Sequence, residues 1–449
     1  MKITFSILSL MISLIGYGQD SLIHVIKQAK VSGYARSFYM ANMNQGELQD
    51  WNALTLGGML KVESGSYKGM KLGAAYYHSS LLFGNPASRD LTTNKPSRYI
   101  LGLLDVQDPT KRHIPLLGEL YFNFNQKGHN LTVGRMKLKT PFLNPEDGRM
   151  IPVLQQGIWY TNSQINKIQL VAGWITHMAP RSYSKFETTA NTMGIYPVGL
   201  NPDGTKSGYF GNVNSAGLGV IGVKVQKGDF GIQMWDYLLE NVYNTNYWLA
   251  TYSRSGSDLK WISGIQGMVQ NRLNHGGNSD QTKTYFHDDL SLVWGIQQKL
   301  IAGGWTFSAN FNQITNHGRF MFPREWGRET LFVFQKRERI EGMSDMTAWM
   351  IDLEKKVKTS SGASFSAKIG YSHYYRADVR DFAKNKYAMP ANDQFNIDLF
   401  YHLSGPLKGL VVEYLLSHKR SLGETYDNPN FILHKVEMSN HNVVMNYRF

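Results

Sequence analysis

The connections between the extended segments of this 449-residue chain alternate in length, and that parity leaves few folds open. Read for period-two alternation of apolar and polar side chains, the sequence predicts strands over 29–41, 51–63, 67–79, 114–125, 130–138 and 155–163. Further strands are predicted over 167–178, 216–226, 229–240, 246–253, 258–271 and 288–300. The last six run over 303–315, 344–358, 362–376, 392–404, 408–420 and 434–449. After every even-numbered segment the link is tight, as at 64–66, 227–228, 301–302 and 405–407. After odd-numbered segments it is long, at 80–113, 139–154, 179–215, 272–287, 316–343, 377–391 and 421–433, and short only near 42–50 and 241–245. A soluble sandwich does not sort its loops this way. A transmembrane β-barrel does, with turns at one rim and loops at the other, and an even strand count suits a single-chain barrel. The predicted fold class is all-β: a transmembrane antiparallel β-barrel of 18 strands.

Both ends of the chain agree. Val443, Met445, Tyr447 and Phe449 share one face of the final strand, so the chain stops on an aromatic with a second aromatic two residues earlier. That ending resembles the closing strand of outer-membrane barrels, which sets its apolar face on lipid and an aromatic at the interface. At the other end, Met1 and Lys2 precede an apolar stretch over 3–15 and the small residues Gly16 and Gly18. This pattern predicts a secretory signal peptide over 1–18 and a single barrel domain over 19–449. No later segment approaches the apolar run of a membrane helix.

Within the strands the two faces differ. Leu54, Leu56, Leu60 and Val62 oppose Trp51, Thr55 and Lys61; Phe365, Ala367, Ile369 and Tyr371 oppose Ser366, Lys368, Ser372 and Arg376. The apolar set is predicted to meet outer-membrane lipid and the polar set a water-filled lumen. Only alternate residues then need be apolar, which explains a mean hydropathy of −0.33 in a membrane protein. Cysteine is absent, excluding disulfides and thiolate chemistry. Without Lys2 the balance is 46 − 34 = +12. Such an excess fits nucleic acid, an anionic lipid surface or anionic solutes as the partner; export argues against nucleic acid.

Two loop segments and a turn are more specific. One runs Gly134-Arg135-Met136-Lys137-Leu138-Lys139-Thr140-Pro141 and ends on Asp147-Gly148-Arg149. Another reads Phe322-Pro323-Arg324-Glu325-Trp326-Gly327-Arg328, followed by Lys336-Arg337-Glu338-Arg339 and Glu341-Gly342. The turn is Gly405-Pro406-Leu407-Lys408-Gly409-Leu410. In this order they resemble segments of the OprD family of outer-membrane porins. A Pro and an Asn of that family's pattern are missing around Gln335–Gly342, which leaves the fold intact and bears on substrate preference.

The resemblance implies an eighteen-stranded barrel in the bacterial outer membrane, with long extracellular loops folded into the lumen to form a constriction. It also implies a row of basic side chains that guides carboxylate-bearing solutes: amino acids, small organic acids or peptides. Side-chain chemistry suits that role, because Arg pairs bidentately with carboxylates and stays charged. The expected pore-lining residues are Arg135, Lys137, Arg149, Arg324, Arg328, Arg337 and Arg339. Against this stands the plainer reading that Glu325, Glu329, Glu338 and Glu341 pair with those cations and staple the loop to the wall.

Other chemistry is expected to be absent. Gly217-Leu218-Gly219-Val220-Ile221-Gly222 matches a dinucleotide fingerprint but lies inside a strand, with no helix to receive a pyrophosphate. His287-Asp288-Asp289 reads as a solvated loop edge, and the 13 His residues show no zinc spacing. No catalytic residue, cofactor or metal is predicted. A substrate-selective diffusion channel, monomeric or homotrimeric, is the leading reading; a barrel enzyme of lipase or protease type and a plugged, adhesin-like barrel are the alternatives.

Overall fold

The computed structural model describes residues 25–145 and 149–449. The signal segment and Asp147-Gly148 of the first motif lie outside them. Eighteen long strands form one antiparallel sheet. The first nine are β1 Lys30–Asn44, β2 Trp51–Glu63, β3 Met70–Gly84, β4 His113–Gln126, β5 His129–Met136, β6 Leu154–Asn162, β7 Ile168–Ala179, β8 Leu218–Lys227 and β9 Phe230–Leu239. The rest are β10 Tyr243–Ser255, β11 Leu259–Arg272, β12 Leu290–Ala302, β13 Trp305–Ile314, β14 Met346–Lys358, β15 Ser364–Tyr375, β16 Asn392–His402, β17 Leu410–Ser421 and β18 Met438–Arg448. A two-residue strand, Glu187–Thr188, pairs with the end of β7 and leaves the β7–β8 pairing intact.

β1 pairs with both β2 and β18, from Tyr34 opposite Arg448 to Asn44 opposite Met438, and so closes the barrel. Closure removes the exposed edges that a flat sheet would present. The terminal Phe449 completes it: its backbone exchanges two hydrogen bonds with Gly33 (3.0 and 3.1 Å). Its ring also fills the space where a Cβ on Gly33 would stand, 2.7 Å from Cζ.

The predicted strands and the observed ones correspond throughout, and the differences have local causes. The link placed at 301–302 lies two residues later. β12 runs through the β-branched Ile301, while Gly303 and Gly304 take the positive φ angles (52° and 79°) that a two-residue hairpin turn requires. β10 begins at Tyr243 rather than 246, because Tyr243, Thr245 and Tyr247 turn inward and bury.

Facing directions follow the period of two. Leu56, Leu60 and Val62 of β2 and Ile351, Leu353 and Val357 of β14 are exposed on the outer wall, while Ala53, Thr55 and Ser372 are buried on the inner one.

Nine loops leave one rim. They are loop 1 (45–50), loop 2 (85–112), loop 3 (137–153), loop 4 (180–217), loop 5 (240–242), loop 6 (273–289), loop 7 (315–345), loop 8 (376–391) and loop 9 (422–437). Loop 3 leaves β5 and returns at β6, yet its Phe142 packs edge-on against Tyr237 of β9 and Tyr247 of β10, with ring centroids 5.6 and 5.4 Å apart. Those tyrosines face inward, so loop 3 crosses the lumen. Phe322, Trp326 and Val333 of loop 7, Phe286 of loop 6 and Met193 of loop 4 join the same apolar cluster. A second cluster gathers Trp51, Tyr77, Tyr99, Leu104 and Leu154 on the other side. The lumen predicted to be water-filled, with loops folded into it, is in part dry. In the half beneath the loops it is a packed core, where apolar loop residues, to which strand alternation is blind, meet inward-facing strand residues such as Ile175, Tyr237 and Met268.

Candidate functional site

Loop 7 reaches the inner wall through hydrogen bonds and ion pairs. The Lys336 ammonium lies 2.6 Å from Asp398 of β16 and 2.5 Å from Glu413 of β17. Gln394 and Asn396 donate to the Lys336 carbonyl. Tyr374 of β15 donates to the carbonyl of Val333, and Asn312 of β13 accepts from its amide. Glu338 is clamped between Arg376 (3.0 Å) and Lys419 (2.8 Å), with all three side chains almost fully buried. Arg376 and Lys419 are not bathed in water, as their alternation suggested, while Asp398 and Glu413 stay partly exposed; burial is tolerated because each cation meets an opposite charge.

Beside this seam lies a cavity of about 790 Å³, bounded by residues from loops 2, 3, 4, 7, 8 and 9. Among the described residues, ten of its wall are Lys or Arg and one, Glu338, is acidic. Four of the seven sequence-predicted residues come together here: Arg149, Arg324, Arg337 and Arg339. The other three do not line it. Arg328 lies against the Phe334 ring (4.7 Å), and its backbone joins loop 7 to Asn144 of loop 3. Arg135 stands opposite Leu120 and Gln156, donates to Gln156 and the Leu117 carbonyl, and covers the Phe186 ring. Lys137 is exposed at the start of loop 3.

Two guanidinium groups donate to neutral acceptors on the wall. Arg337 donates to Asn440 (2.9 Å) and Asn442 (2.7 Å) of β18. Its backbone is in the left-handed region (φ 74°), which a side chain of this size rarely adopts, and Lys419 donates to its carbonyl at 2.6 Å. Arg149 donates to the Tyr99 carbonyl at 2.6 Å, and its buried Nε has no partner among the described residues. Burial pushes both guanidinium groups below their ordinary value, since desolvation disfavours the charged form. At Arg149, an incoming anion would offset that cost.

The other cations are tied down. Arg324 pairs with Glu341 (2.7 Å) and covers the Tyr387 ring (3.6 Å), and Arg339 pairs with Glu329 (2.9 Å). Burial acts to lower Arg324, but Tyr387 and Glu341 outweigh it and hold it above its usual value. For these two the stapling role weighed against ligand contact in the sequence is present in the geometry.

Sequence reasoning missed Lys95, Arg98, Arg181, Lys206, Lys386 and Lys435, which also line the cavity. Each is an isolated basic residue in a long loop, without a motif around it. Loop packing alone brings them beside Arg149. The one local clue is Gly102, whose hypothetical Cβ would lie 1.5 Å from Nη1 of Arg149. Gly102→Ala should leave the barrel folded, because the obstacle is the end of a flexible side chain, and push that guanidinium off the wall. The expected outcome is unchanged heat resistance with a reversal potential moved toward that of Arg149→Gln; a wild-type potential would show that Arg149 adapts without loss.

A closed eighteen-stranded membrane barrel, constricted from within by its own loops around a basic cavity, is the architecture of a porin. The model of the outer membrane porin, OprD family, matches residues 124–430, and the chain belongs to that family. It is a porin of the bacterial outer membrane, and its loops are therefore extracellular and its short turns periplasmic. Among solved structures it is similar to Acinetobacter baumannii OccAB3 (15% identity, TM-score 0.73), covering 94% of this chain and 100% of that one. It is similar also to Pseudomonas aeruginosa OpdK with vanillate (14%, TM-score 0.70) and OccK2 (OpdF) in complex with glucuronate (12%, TM-score 0.67), each over 95% of this chain and 99% of the other. At these identities the likeness is one of fold. Among curated proteins, none matches.

Proposed function

We propose that the pore prefers small solutes carrying a carboxylate. The observation that carries this reading is the cavity wall, where among the described residues ten are Lys or Arg and one is an acid, in a low-dielectric surround of packed loops. Field lines focused in such a cleft raise the local concentration of anions, and a ring of fixed charge sets the sign of the ion that passes. Arginine matches a carboxylate with two parallel donors, so it selects geometry as well as charge. Tyr99, Tyr196, Phe334 and Tyr387 on the same wall supply apolar contact for the rest of a small organic acid. The neighbours' vanillate and glucuronate are both carboxylates, in keeping with this reading.

Reversal potentials across planar bilayers test it. In gradients of potassium acetate and potassium benzoate at low salt, the potential should have the sign of anion preference. Preference for potassium under both gradients would overturn the reading.

A further inference from the structure

The lumen wall on the periplasmic side holds a second recess, away from the loops. Gln169, Lys224, Gln233 and Leu249 are successive cross-strand partners in a single row across β7, β8, β9 and β10. Gln226, Gly231 and Thr251 form the next row toward the turns. Cross-strand partners share a face of the sheet. Trp235, two residues from Gln233, is 3% exposed and belongs to the apolar cluster inside the barrel, so both rows face the lumen.

Together they line a recess of about 530 Å³. Gly231 opens it: a Cβ there would stand 2.7 Å from both Oε1 of Gln226 and Oγ1 of Thr251. The polar atoms around it are oriented. Trp235 donates to Oε1 of Gln233 at 3.0 Å, which leaves that amide's NH₂ toward the recess as a donor. Gln226 donates its own NH₂ to the Gly228 carbonyl at 3.0 Å and so keeps Oε1 as an acceptor. The Lys224 ammonium lies 5.3 Å from the Trp235 ring centroid. Among the described residues no acid stands within ion-pair distance of it.

One ammonium, three glutamine amides and a hydroxyl on one patch are the complement of a carboxylate that also carries several hydroxyl groups. A bare carboxylate would use the ammonium and leave the amides to water, whereas hydroxyl groups beside the carboxylate can both donate to and accept from them. We propose that this recess is a second binding station, between the constriction and the periplasm, for small polyhydroxy carboxylates of the sugar-acid type. Lys224 takes the carboxylate, and Gln169, Gln226 and Gln233 take the hydroxyls. It does not depend on the preference proposed for the loop-lined cavity.

The test is current block by gluconate added on the periplasmic side of oriented channels, with propionate, which lacks hydroxyls, as the comparison. Gluconate should interrupt the wild-type current, and Lys224→Met should weaken that block at least tenfold. Gly231→Ala, which fills the recess and keeps every charge, should weaken it too. The double substitution Gln169→Leu with Gln233→Leu should reduce gluconate block and leave the response to propionate unchanged. Arg337→Gln at the constriction should leave periplasmic gluconate block in place. No block in the wild type, an unaltered block in Lys224→Met, or loss in Arg337→Gln alone would overturn the proposal. A cation-preferring wild type that still shows Lys224-dependent block would overturn the constriction reading and leave this one standing.

Discussion

Arg337→Gln is expected to lower carboxylate permeability relative to potassium by about two orders of magnitude at low salt. The guanidinium is held on the cavity wall by Asn440 and Asn442, so its position does not relax away from a passing solute. For unit charges about 5 Å apart at an effective dielectric constant near 20, the interaction is roughly 3 kcal/mol. At about 1.4 kcal/mol per tenfold change, that is on the order of a hundredfold in occupancy. Screening acts over about 10 Å at 0.1 M salt and about 3 Å at 1 M, so most of the effect should vanish at the higher concentration. Arg337→Lys retains the charge but loses the planar pair of donors, and should fall between wild type and the Gln variant. Bi-ionic potentials with acetate at the two salt concentrations check this. A permeability ratio unchanged at 0.1 M would mean that Arg337 only anchors loop 7.

The second large effect concerns the seam that holds loop 7 to the wall. Glu338→Gln removes the one acid shared by Arg376 and Lys419, whose side chains are 0% and 1% exposed. Stranding buried cations by deleting their partner typically costs about 3–5 kcal/mol. The barrel, closed by its backbone ladder, should survive; loop 7 should not stay docked. The expected result is a larger and noisier unitary conductance, with the loop newly open to protease in otherwise folded protein. Wild-type conductance and protection would show that the backbone contacts of Val333 and Lys336 are enough.

The pH dependence has a definite sign. Burial works against ionisation of Glu338, but Lys419 and Arg376 overcome it and hold the carboxyl below its ordinary value. A depressed carboxyl contributes stability that is present above the unfolded value of about 4.5 and is lost as pH falls through the lower folded value. Acid below about pH 4.5 should therefore loosen loop 7 in the wild type, and this acid step should be missing in Glu338→Gln.

Legibility differed between the wall and the site. Strand existence, number and facing direction were readable, because a barrel strand is specified by neighbouring residues and repeats with period two. Even the misplaced link at 301–302 carried its correction two residues on, in Gly303-Gly304. Of the cavity, Arg149, Arg324, Arg337 and Arg339 were found through segments similar to the family's. Arg135 and Lys137 share the first segment with Arg149 but sit on or beside the end of β5, outside the cavity. Proximity in sequence to a lining residue placed them no closer to the lumen, because loop 3 turns inward only after them.

What the chain determines by itself is the wall: eighteen strands, their parity, the sorting of turns from loops, and an aromatic terminus that seals β18 to β1. These follow from local alternation and turn chemistry, which act over a few residues. Which loop cations share a cavity was decided only by tertiary structure. Arg98, Arg149, Arg181, Arg337 and Lys435 come from five loops. They converge because Phe142, Phe322 and Trp326 pack into one apolar core, which carries loops 3 and 7 inward, and because Glu338 is shared by two buried cations. Such contacts join residues far apart in the chain, where no periodicity connects them.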